Sequence, residues 1–490
     1  MDQQPLLDPA GIGRLREALS AAGYTLEGLS ERLGEDVAGQ VEGGDIVPAL
    51  RALGGDDPLA TLLATFTAGR TVTADRMAAA LAPLPLADAL AAGLVERHGD
   101  GVRAALSLEV YGPWWLLADL APPARPIAPD HVLGITGSAL ALADYTVRRP
   151  VGTALDLCTG DGIEALHLSQ HADRVTGTDL LPRALRLAAT TAALNGLDWE
   201  LLAGDMFAPV AGRRFDLVVA NPPFIVKPGT PSFVYRDGGR PGDSLVAEMI
   251  AAAPDVLTPG GHMQFEGEWA HRAGADWAER LAGLAADAGL DAWIVEANAF
   301  EPKDYVEHWA TSPEEDTAGW LEWLHAEGIE SLGWGVVTLR NSGHASPTVR
   351  VERREAWPRF GGDVAAWFAR QDWLRAHRSA PELLAARYEV PEDVTLHVES
   401  VRAGQGWAVD GHRLSTAGSY DRTPSDERVP ALAAALVGAC DDALPLSEHL
   451  ARLAGEQGRD VAGLVEEALP LVPELVEGGF LHPVGMPGLS

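Results

Sequence analysis

Short apolar strands alternate with helices between about residue 130 and residue 342, and this alternation constrains the fold more strongly than any other feature of the chain. Ala154–Leu157, Arg174–Asp179 and Phe215–Ala220 have the apolar character of strands, and helical segments follow them. Such alternation predicts a mostly parallel sheet with helices on both faces. Ligands bind to sheets of this kind at the carboxyl ends of the strands, so we expect functional residues there.

The sequence predicts three domains. Residues 1–125 contain short helices followed by two partly alternating runs around Gly99-Asp-Gly101, which is the pattern of a β-hairpin. Helices followed by a hairpin resemble a winged helix, which would bind DNA or serve as a small packing or partner-docking module. Residues 121–129 contain four prolines and are predicted to be a linker to the α/β domain at 130–342. Residues 343–490 are predicted to form an α+β domain that ends in a winged-helix-like module.

The charge of the chain restricts its partners. It has 70 acidic residues against 37 lysines and arginines, and the net charge of −33 excludes a nucleic-acid-binding surface over the whole molecule. Two local basic regions remain. Residues 350–387 mix eight arginines with aromatic residues, which predicts either an RNA-binding surface or an amphipathic helical face. Residues 211–242 would meet phosphates, an acidic protein surface or only solvent, and their cations are Arg213, Arg214, Lys227, Arg236 and Arg240.

The cysteines and the apolar segments predict a cytoplasmic protein. Cys158 and Cys440 are the two cysteines of the sequence, and no Cys/His cluster has the spacing of a zinc site, so no metal is predicted. The N-terminus lacks the basic and apolar regions of a signal peptide. No apolar run approaches the roughly 18 residues of a membrane span, so we expect no membrane partner.

A glycine-rich turn follows the strand Ala154–Leu157. Its sequence, Asp156-Leu-Cys-Thr-Gly-Asp-Gly162, lets the backbone pass close to a ligand. Asp179 ends the next strand, where a carboxylate can accept both hydroxyls of a ribose, and Asp205 follows a further strand, where it can accept from an adenine amino group. The turn has no phosphate-binding lysine, and its acids would oppose a pyrophosphate. These acids favour a ligand with an ammonium group and a sulfonium, which points to S-adenosylmethionine.

The tetrapeptide Asn221-Pro-Pro-Phe224 directly follows the strand Phe215–Ala220 and is the predicted catalytic segment. Its two prolines fix the backbone and lack N–H groups, which leaves carbonyl oxygens as acceptors. The Asn221 amide oxygen and the Pro222 carbonyl can hold both hydrogens of a planar amine and turn its lone pair out of conjugation. Phe224 is expected to stack on that flat group. Methyl transfer would then depend on alignment rather than on a strong base.

Together these segments resemble the class I S-adenosylmethionine-dependent methyltransferases of the Asn-Pro-Pro-(Tyr/Phe) group, which methylate planar nitrogens. The resemblance implies a Rossmann-like sheet, mostly parallel with its last strand antiparallel, and S-adenosyl-L-methionine as the cofactor. The implied catalytic residues are Asn221, Pro222, Pro223 and Phe224. The implied cofactor-binding residues are Asp156, Cys158 (where the family usually has a glycine), Gly160, Gly162, Asp179, Leu180, Asp205, Met206 and Asn221. The implied substrate-binding residues are Phe224, Tyr235 and Arg236.

Two features indicate different methyl acceptors. The segment Arg236–Asp243 is similar to the release-factor glutamine methyltransferases, whereas Phe224 in place of a tyrosine is common among enzymes that modify ribosomal RNA. We therefore predict an N-methyltransferase that acts on a glutamine side chain of a protein or peptide, with an adenine or guanine amine of RNA as the alternative acceptor. A non-catalytic protein that senses the cofactor and binds a partner is the third hypothesis. His131–Ile135 and Ser138 are predicted either to cover the cofactor or only to lead into a helix. The sequence predicts no oligomeric state.

Overall fold

The computed structural model describes residues 4–42, 45–53, 57–120, 127–229, 233–240, 242–310, 315–354, 361–404, 406–416 and 428–486. The chain forms two compact units, residues 1–143 together with 149–356 and residues 144–148 together with 357–490. The first two predicted domains therefore belong to one unit, and the predicted linker at 121–129 lies mostly outside the described residues. Within the described ranges, no helix has both the length and the apolar character needed to cross a membrane.

The N-terminal part of the first unit consists of short helices and two small sheets. Its helices are α1 (Pro9–Ala21), α2 (Leu26–Leu33), α3 (Glu35–Glu42), α4 (Val47–Ala52), α5 (Pro58–Leu62), α6 (Ala74–Ala80) and α7 (Leu86–Ala91), with a π-helical turn at Leu63–Thr67. Its strands are β1 (Val72–Thr73), β2 (Val95–His98), β3 (Gly101–Ala104), β4 (Ser107–Tyr111) and β5 (Trp114–Ala118). The predicted hairpin is present, since β2 pairs with β3 across a tight turn in which Gly99 has a φ of 55°. The strand order β1-β3-β2, with α6 and α7 between β1 and β2 in the chain, is that of a winged helix.

This N-terminal part packs against the α/β domain. Its apolar core includes Leu187 and Leu194, which belong to helix α10 (Pro182–Leu194) of that domain. Helix α7 carries no lysine or arginine, and its Asp88 forms an ion pair with Arg14. The structure therefore favours a packing role over DNA binding for the winged-helix-like element.

The α/β domain contains an eight-stranded sheet. Its strands are β6 (Val151–Leu157), β7 (Ala172–Asp179), β8 (Glu200–Ala203), β9 (Phe215–Ala220), β10 (Leu257–Arg272), β11 (Asp291–Phe300), β12 (Ile329–Arg340) and β13 (Val349–Arg353). They lie in the order β13-β11-β12-β10-β9-β6-β7-β8. Neighbouring strands are parallel except for β12, which runs antiparallel to β10 and β11. The predicted mostly parallel sheet is confirmed.

The sheet ends later in the chain than the sequence predicted. Strand β13 pairs in parallel with β11, and Val349 lies opposite Ala292. The sheet therefore extends past residue 342. Its last strand in chain order is the parallel strand β13, and the antiparallel strand β12 comes directly before it. The valines of β13 alternate with charged residues because it is an edge strand. Its arginines had indicated that the segment is part of the basic region at 350–387.

Helices cover both faces of the sheet. They are α8 (Gly137–Tyr145), α9 (Ile163–Leu168), α10, α11 (Ser244–Val256), α12 (Trp277–Asp287), α13 (Pro302–Trp309) and α14 (Thr317–Ala326), with a 3₁₀ turn at Ala208–Val210. Leu155 and Phe265 share an apolar core with α11 and α12, and Ala154 and Leu217 share another with α8, α9 and α10. Helices α13 and α14 form an insertion between β11 and β12. Because β6, β7, β8 and β9 are parallel, their carboxyl ends meet at one edge of the sheet.

The second unit contains the remaining elements. They are α15 (Gly361–Ala376), α16 (Ala380–Ala385), β14 (Tyr388–Glu389), β15 (Val394–Ala403), β16 (Gly406–Thr416), α17 (Ala431–Ala439), α18 (Leu446–Gln457), α19 (Val461–Ala468), α20 (Leu471–Glu477) and β17 (His482–Pro483). Strands β15 and β16 form a long hairpin that was not predicted from the sequence. Trp367 and Phe368 of α15 are each 1% exposed, so they are not available to stack on RNA. The basic, aromatic region therefore contains an ordinary amphipathic helix at this position.

Candidate active site

One cavity lies at the carboxyl edge of the sheet, beside the ends of β6, β7, β8 and β9. The predicted site residues that line it are Asp156, Cys158, Gly160, Asp179, Leu180, Asp205, Met206, Asn221, Pro223 and Tyr235. The predicted residues that lie outside its lining are Gly162, Pro222, Phe224 and Arg236. The structure thus brings the glycine-rich turn, the acidic strand ends and Asn221 together around one space.

The glycine-rich turn between β6 and α9 presents its backbone to the cavity. Gly160 has a φ of 55°, and no atom lies within 4 Å of the position that a Cβ would occupy there. Gly162 has a φ of 91°, and a Cβ there would lie 2.6 Å from the Trp199 ring, so packing requires this glycine. Cys158 has a φ of 63° despite its side chain, and its Sγ lies 3.8 Å from the Sδ of Met206. The backbone at 158 therefore keeps a conformation that favours glycine, while the thiol becomes part of the cavity wall.

Buried acidic side chains line the cavity beside this turn. Asp156 and Asp161 are 1% and 2% exposed, and burial raises the pKa of Asp156 to about 7. Burial also raises the pKa values of Asp161 and Asp179. In the described part of the chain, the buried atoms Asp161 Oδ2 and Thr178 Oγ1 have no hydrogen-bond partner. Unpaired buried polar atoms are costly, so this wall fits a ligand that brings positive charge and hydrogen-bond donors.

The acids at the ends of β7 and β8 have different surroundings. Asp179 Oδ2 accepts from the backbone N–H of Gly160 at 3.0 Å, and its Oδ1 accepts from that of Leu181 at 2.8 Å. These bonds hold the carboxylate against the glycine-rich turn. The side chain of Asp205 is 62% exposed, and both of its oxygens accept from the guanidinium of Arg240 at 3.2 Å. The acid predicted to contact adenine is therefore ion-paired with the loop at 233–240.

Asn221 directly follows β9, and its amide connects helix α8 with the cavity. The amide Nδ2 donates to the hydroxyl Oγ of Ser138 at 3.1 Å. No described residue donates to the Asn221 Oδ1, so this oxygen is available as an acceptor. The Pro223 carbonyl packs against the loop at 233–240. The contact is so close that a Cβ on Gly238 would lie 2.4 Å from that oxygen.

Two segments close the cavity opposite the turn. His131 precedes α8 and Tyr235 lies in the loop at 233–240, and their rings meet edge-to-face with centroids 5.7 Å apart. The backbone N–H of Val234 donates to the carbonyl of Pro129 at 3.0 Å, which joins the two segments. The segment His131–Ile135 was predicted either to cover the cofactor or only to lead into a helix. Four of its residues line the cavity, namely His131, Val132, Leu133 and Gly134.

Phe224 and Arg236 face the insertion formed by α13 and α14. The Phe224 ring meets that of Trp309 edge-to-face, with centroids 6.2 Å apart. The side chain of Arg236 is 2% exposed, and its guanidinium pairs with Asp237 Oδ1 at 2.6 Å and with Glu315 Oε2 at 3.1 Å. Arg236 was predicted to bind the substrate, but its ion pairs instead hold the loop at 233–240 against the insertion.

The cations of the basic region at 211–242 are all engaged within the chain. Their partners are Glu200 for Arg213, the carbonyls of Pro254 and Leu257 for Arg214, Glu315 for Lys227, Asp237 and Glu315 for Arg236, and Asp205 and Glu248 for Arg240. Each of these cations already has an acceptor inside the protein. The region is therefore not a free basic patch for phosphates.

Three segments of the chain match known families. Residues 136–268 match the methyltransferase small domain, and residues 21–105 and 365–483 each match a domain of unknown function (DUF7059 and DUF7782). The release factor glutamine methyltransferase of Xylella fastidiosa (strain 9a5c) is 31% identical over 206 residues, which cover 39% of this chain and 73% of that protein. The chain belongs to the methyltransferase small-domain family. The resemblance to class I methyltransferases is thereby confirmed.

The methyltransferase domain is similar to proteins with two kinds of methyl acceptor in their names. The ribosomal protein uL3 glutamine methyltransferase of Bradyrhizobium diazoefficiens is 34% identical over 146 residues, 27% of this chain and 45% of that protein. The ribosomal RNA small subunit methyltransferase C of Alcanivorax borkumensis is 31% identical over 158 residues, 32% of this chain and 45% of that protein. The chain thus spans less than half the length of these two relatives.

Proposed function

We propose that this member of the methyltransferase small-domain family transfers a methyl group from S-adenosyl-L-methionine to the side-chain amide nitrogen of a glutamine in a protein or peptide. One observation supports the proposal most strongly. A single cavity is lined by both the acidic glycine-rich turn and Asn221, whose amide oxygen has no donor among the described residues. A site for a cationic cofactor and an acceptor for amide hydrogens therefore lie side by side.

The chain offers a suitable group for each part of the cofactor. Asp179 would hold the ribose hydroxyls, and Asp205 would accept from the adenine amino group. The open backbone at Gly160 leaves room for the methionine end, whose ammonium group would meet Asp156 and the unpaired oxygen of Asp161. When bound, S-adenosylmethionine supplies an electrophilic methyl group on a sulfonium.

The tetrapeptide would orient the acceptor. Asn221 Oδ1 and the Pro222 carbonyl would each accept one hydrogen of the planar –NH₂ group, which turns the nitrogen lone pair toward the methyl group. Tyr235 at the cavity wall would contact the flat amide, whereas Phe224 lies outside the lining and packs on Trp309. Since alignment in a site shielded from water provides most of the acceleration for such a transfer, no strong base is required.

Two observations favour a glutamine over an RNA base. The basic residues near the cavity have acceptors within the chain, so no described group of unpaired cations surrounds it to bind a phosphate backbone. Several relatives are named as glutamine methyltransferases, and one of them is covered over 73% of its length. A protein or peptide acceptor is consistent with both.

Transfer of a labelled methyl group tests the proposal. The protein is incubated with methyl-labelled S-adenosylmethionine and fractionated cell extract, and the product is divided between ribonuclease and protease digestion. We expect label that resists ribonuclease, is released by protease and yields labelled methylamine on acid hydrolysis, because hydrolysis of an N-methyl amide frees the amine. The Asn221→Ala variant should bind the cofactor but transfer at least about a hundredfold more slowly. Asn298→Ala, an exposed asparagine of β11, is the matched control and should keep full activity.

Each of the other outcomes contradicts a different part of the proposal. Label released by ribonuclease would show that the methyl acceptor is an RNA amine and not a glutamine. Cofactor binding without transfer to any fraction would favour the non-catalytic sensor. Failure of the wild-type protein to bind the cofactor, measured by calorimetry, would overturn the assignment of the cavity itself.

A further inference from the structure

We infer that Ser138 is a positioning residue that fixes the orientation of the Asn221 amide, and this inference rests on the proposed function. Ser138 lies in the first turn of α8, and its hydroxyl accepts from Asn221 Nδ2 at 3.1 Å. It does not line the cavity. Its effect on methyl transfer would therefore pass through Asn221.

The Ser138 hydroxyl is itself held in place by the start of α8. Its Oγ lies 2.9 Å from Thr136 Oγ1, and Thr136 Oγ1 accepts from the backbone N–H of Ala139 at 3.1 Å. The carbonyl of Thr136 also accepts from the backbone N–H of Leu140 at 3.0 Å. Thr136 thus caps the helix, and the cap, the serine and the asparagine form one chain of hydrogen bonds.

The orientation of an asparagine amide decides whether it attracts or repels an amine. One end of the amide is an oxygen acceptor and the other is an –NH₂ donor, and rotation by half a turn about the last side-chain bond exchanges them. A hydroxyl can bind either end of an amide, but a Ser138 hydroxyl that donates its hydrogen to Thr136 Oγ1 can only accept from Asn221. This selects the –NH₂ end of Asn221 and leaves its Oδ1 for the substrate. In the rotated state, the –NH₂ of Asn221 would meet the –NH₂ of the substrate, and two donors cannot pair.

The sequence gives no local signal for this contact. Ser138 precedes Asn221 by 83 residues, and the two meet only because α8 packs beside the carboxyl end of β9. Among the described residues, Ser138 is the side chain that accepts from the Asn221 –NH₂ group. Ser138 therefore provides the bond that fixes the amide.

Nuclear magnetic resonance tests the contact without any measurement of activity. The sequence has four asparagines, at 195, 221, 298 and 341, so protein labelled with ¹⁵N-asparagine gives four side-chain amide pairs. Loss of one pair in Asn221→Ala assigns the signals of Asn221. We expect Ser138→Ala to shift these signals and to increase their exchange with water, and Ser138→Thr, which keeps the hydroxyl, to restore them. Ser20→Ala, a change at an exposed serine of α1, is the control. Unchanged Asn221 signals in Ser138→Ala would overturn the inference.

A double-mutant cycle then connects the contact to methyl transfer. Ser138→Ala should lower kcat about tenfold while the Kd for the cofactor changes less than about twofold. In the Asn221→Ala background, the same substitution should cause no further loss, because its effect passes through the amide. An equal loss in both backgrounds would refute the positioning role. If the wild-type protein transfers no methyl group, the proposed function fails, and the resonance experiment still decides whether Ser138 fixes the amide.

Discussion

Arg240 donates to both carboxylate oxygens of Asp205 at 3.2 Å, and both residues line the cavity that contains Asn221. The same guanidinium donates to Glu248 at 2.8 Å. Since Asp205 is the acid that would accept from the cofactor adenine, Arg240 competes for it. The guanidinium also places a positive charge beside a site that would bind a cation.

Substitution of Arg240 should therefore strengthen cofactor binding. In Arg240→Met both the competition and the repulsion are absent, and we expect the Kd for S-adenosylmethionine to fall about threefold at low salt. Added salt should reduce the difference from wild type, because it screens the partly exposed charges. Titration calorimetry at two salt concentrations measures both effects. Arg213→Met, which breaks the pair with Glu200 instead, should leave the Kd unchanged. Weaker binding by Arg240→Met would show that Arg240 supports the cofactor site.

Cofactor affinity should rise with pH through neutrality. Burial raises the pKa of Asp156 to about 7, so this carboxyl changes from mostly neutral to mostly charged between about pH 6 and pH 8. The charged form attracts the cofactor cation and the neutral form does not. Calorimetry across this range should show Kd falling as pH rises for wild type and a flatter profile for Asp156→Asn, with weaker binding at pH 8. An identical profile for the two proteins would contradict the assignment.

The same shift predicts an opposite effect on stability. The folded-state pKa of Asp156 lies above its ordinary value of 3.8, so folding favours the neutral form. The stabilising contribution of the protonated carboxyl is complete below about pH 4 and is lost as pH rises through about 7. Without ligand, the difference in melting temperature between Asp156→Asn and wild type should therefore shift in favour of the variant as pH rises from 5 to 8. A relative gain toward low pH would contradict the raised pKa.

The sequence predicted those parts of the fold whose signals are local. Strand β9 has the bounds Phe215–Ala220 that its apolar run indicated. Strand β10 extends from Leu257 to Arg272, which is longer than the local sequence indicates. Its further course was hidden because Glu268, a buried polar residue, interrupts the apolar pattern. Burial of a charged side chain depends on tertiary partners, which a pattern within one segment does not contain.

The candidate site divides in the same way. The residues of the glycine-rich turn and Asn221 were predicted because each follows directly from a strand end in the sequence. The substrate-binding role predicted for Arg236 was wrong, because its ion-pair partner Glu315 lies 79 residues further along the chain and gives no local signal. Ser138 and Gly238 carried no local signal of their contacts with the tetrapeptide. The sequence therefore indicated which strand ends meet at the cavity, and the packing determined which neighbours support them.

The close approach of Gly238 to the Pro223 carbonyl gives a steric prediction. A Cβ at 238 would lie 2.4 Å from that oxygen, so Gly238→Ala must displace either the tetrapeptide or the loop at 233–240. We expect kcat to fall at least about tenfold, because methyl transfer depends on alignment of the acceptor groups. Gly13→Ala, where nothing lies within 4 Å of the added methyl group, is the matched control and should be silent. Full activity of Gly238→Ala at an unchanged melting temperature would show that the tetrapeptide tolerates displacement.

The buried ion pairs of Glu315 should stabilise the first unit in a pH-dependent way. Its carboxylate pairs with Lys227 at 3.0 Å and with Arg236 at 3.1 Å. Burial alone would raise the pKa of Glu315, but the hydrogen bonds from Arg236 and Lys227 outweigh it and lower the pKa to about 2. Glu315→Gln should reduce the free energy of unfolding by about 3 kcal/mol at pH 7, because it leaves two buried cations short of a partner. This contribution is present above the ordinary pKa of 4.5 and is lost as pH falls toward 2, so urea unfolding should show the difference from wild type shrinking in acid.

The control is Glu307→Gln, which removes an exposed pair with Lys303 and should cost less than about 0.5 kcal/mol. Equal losses in the two variants would mean that the Glu315 pairs contribute no more than a surface ion pair.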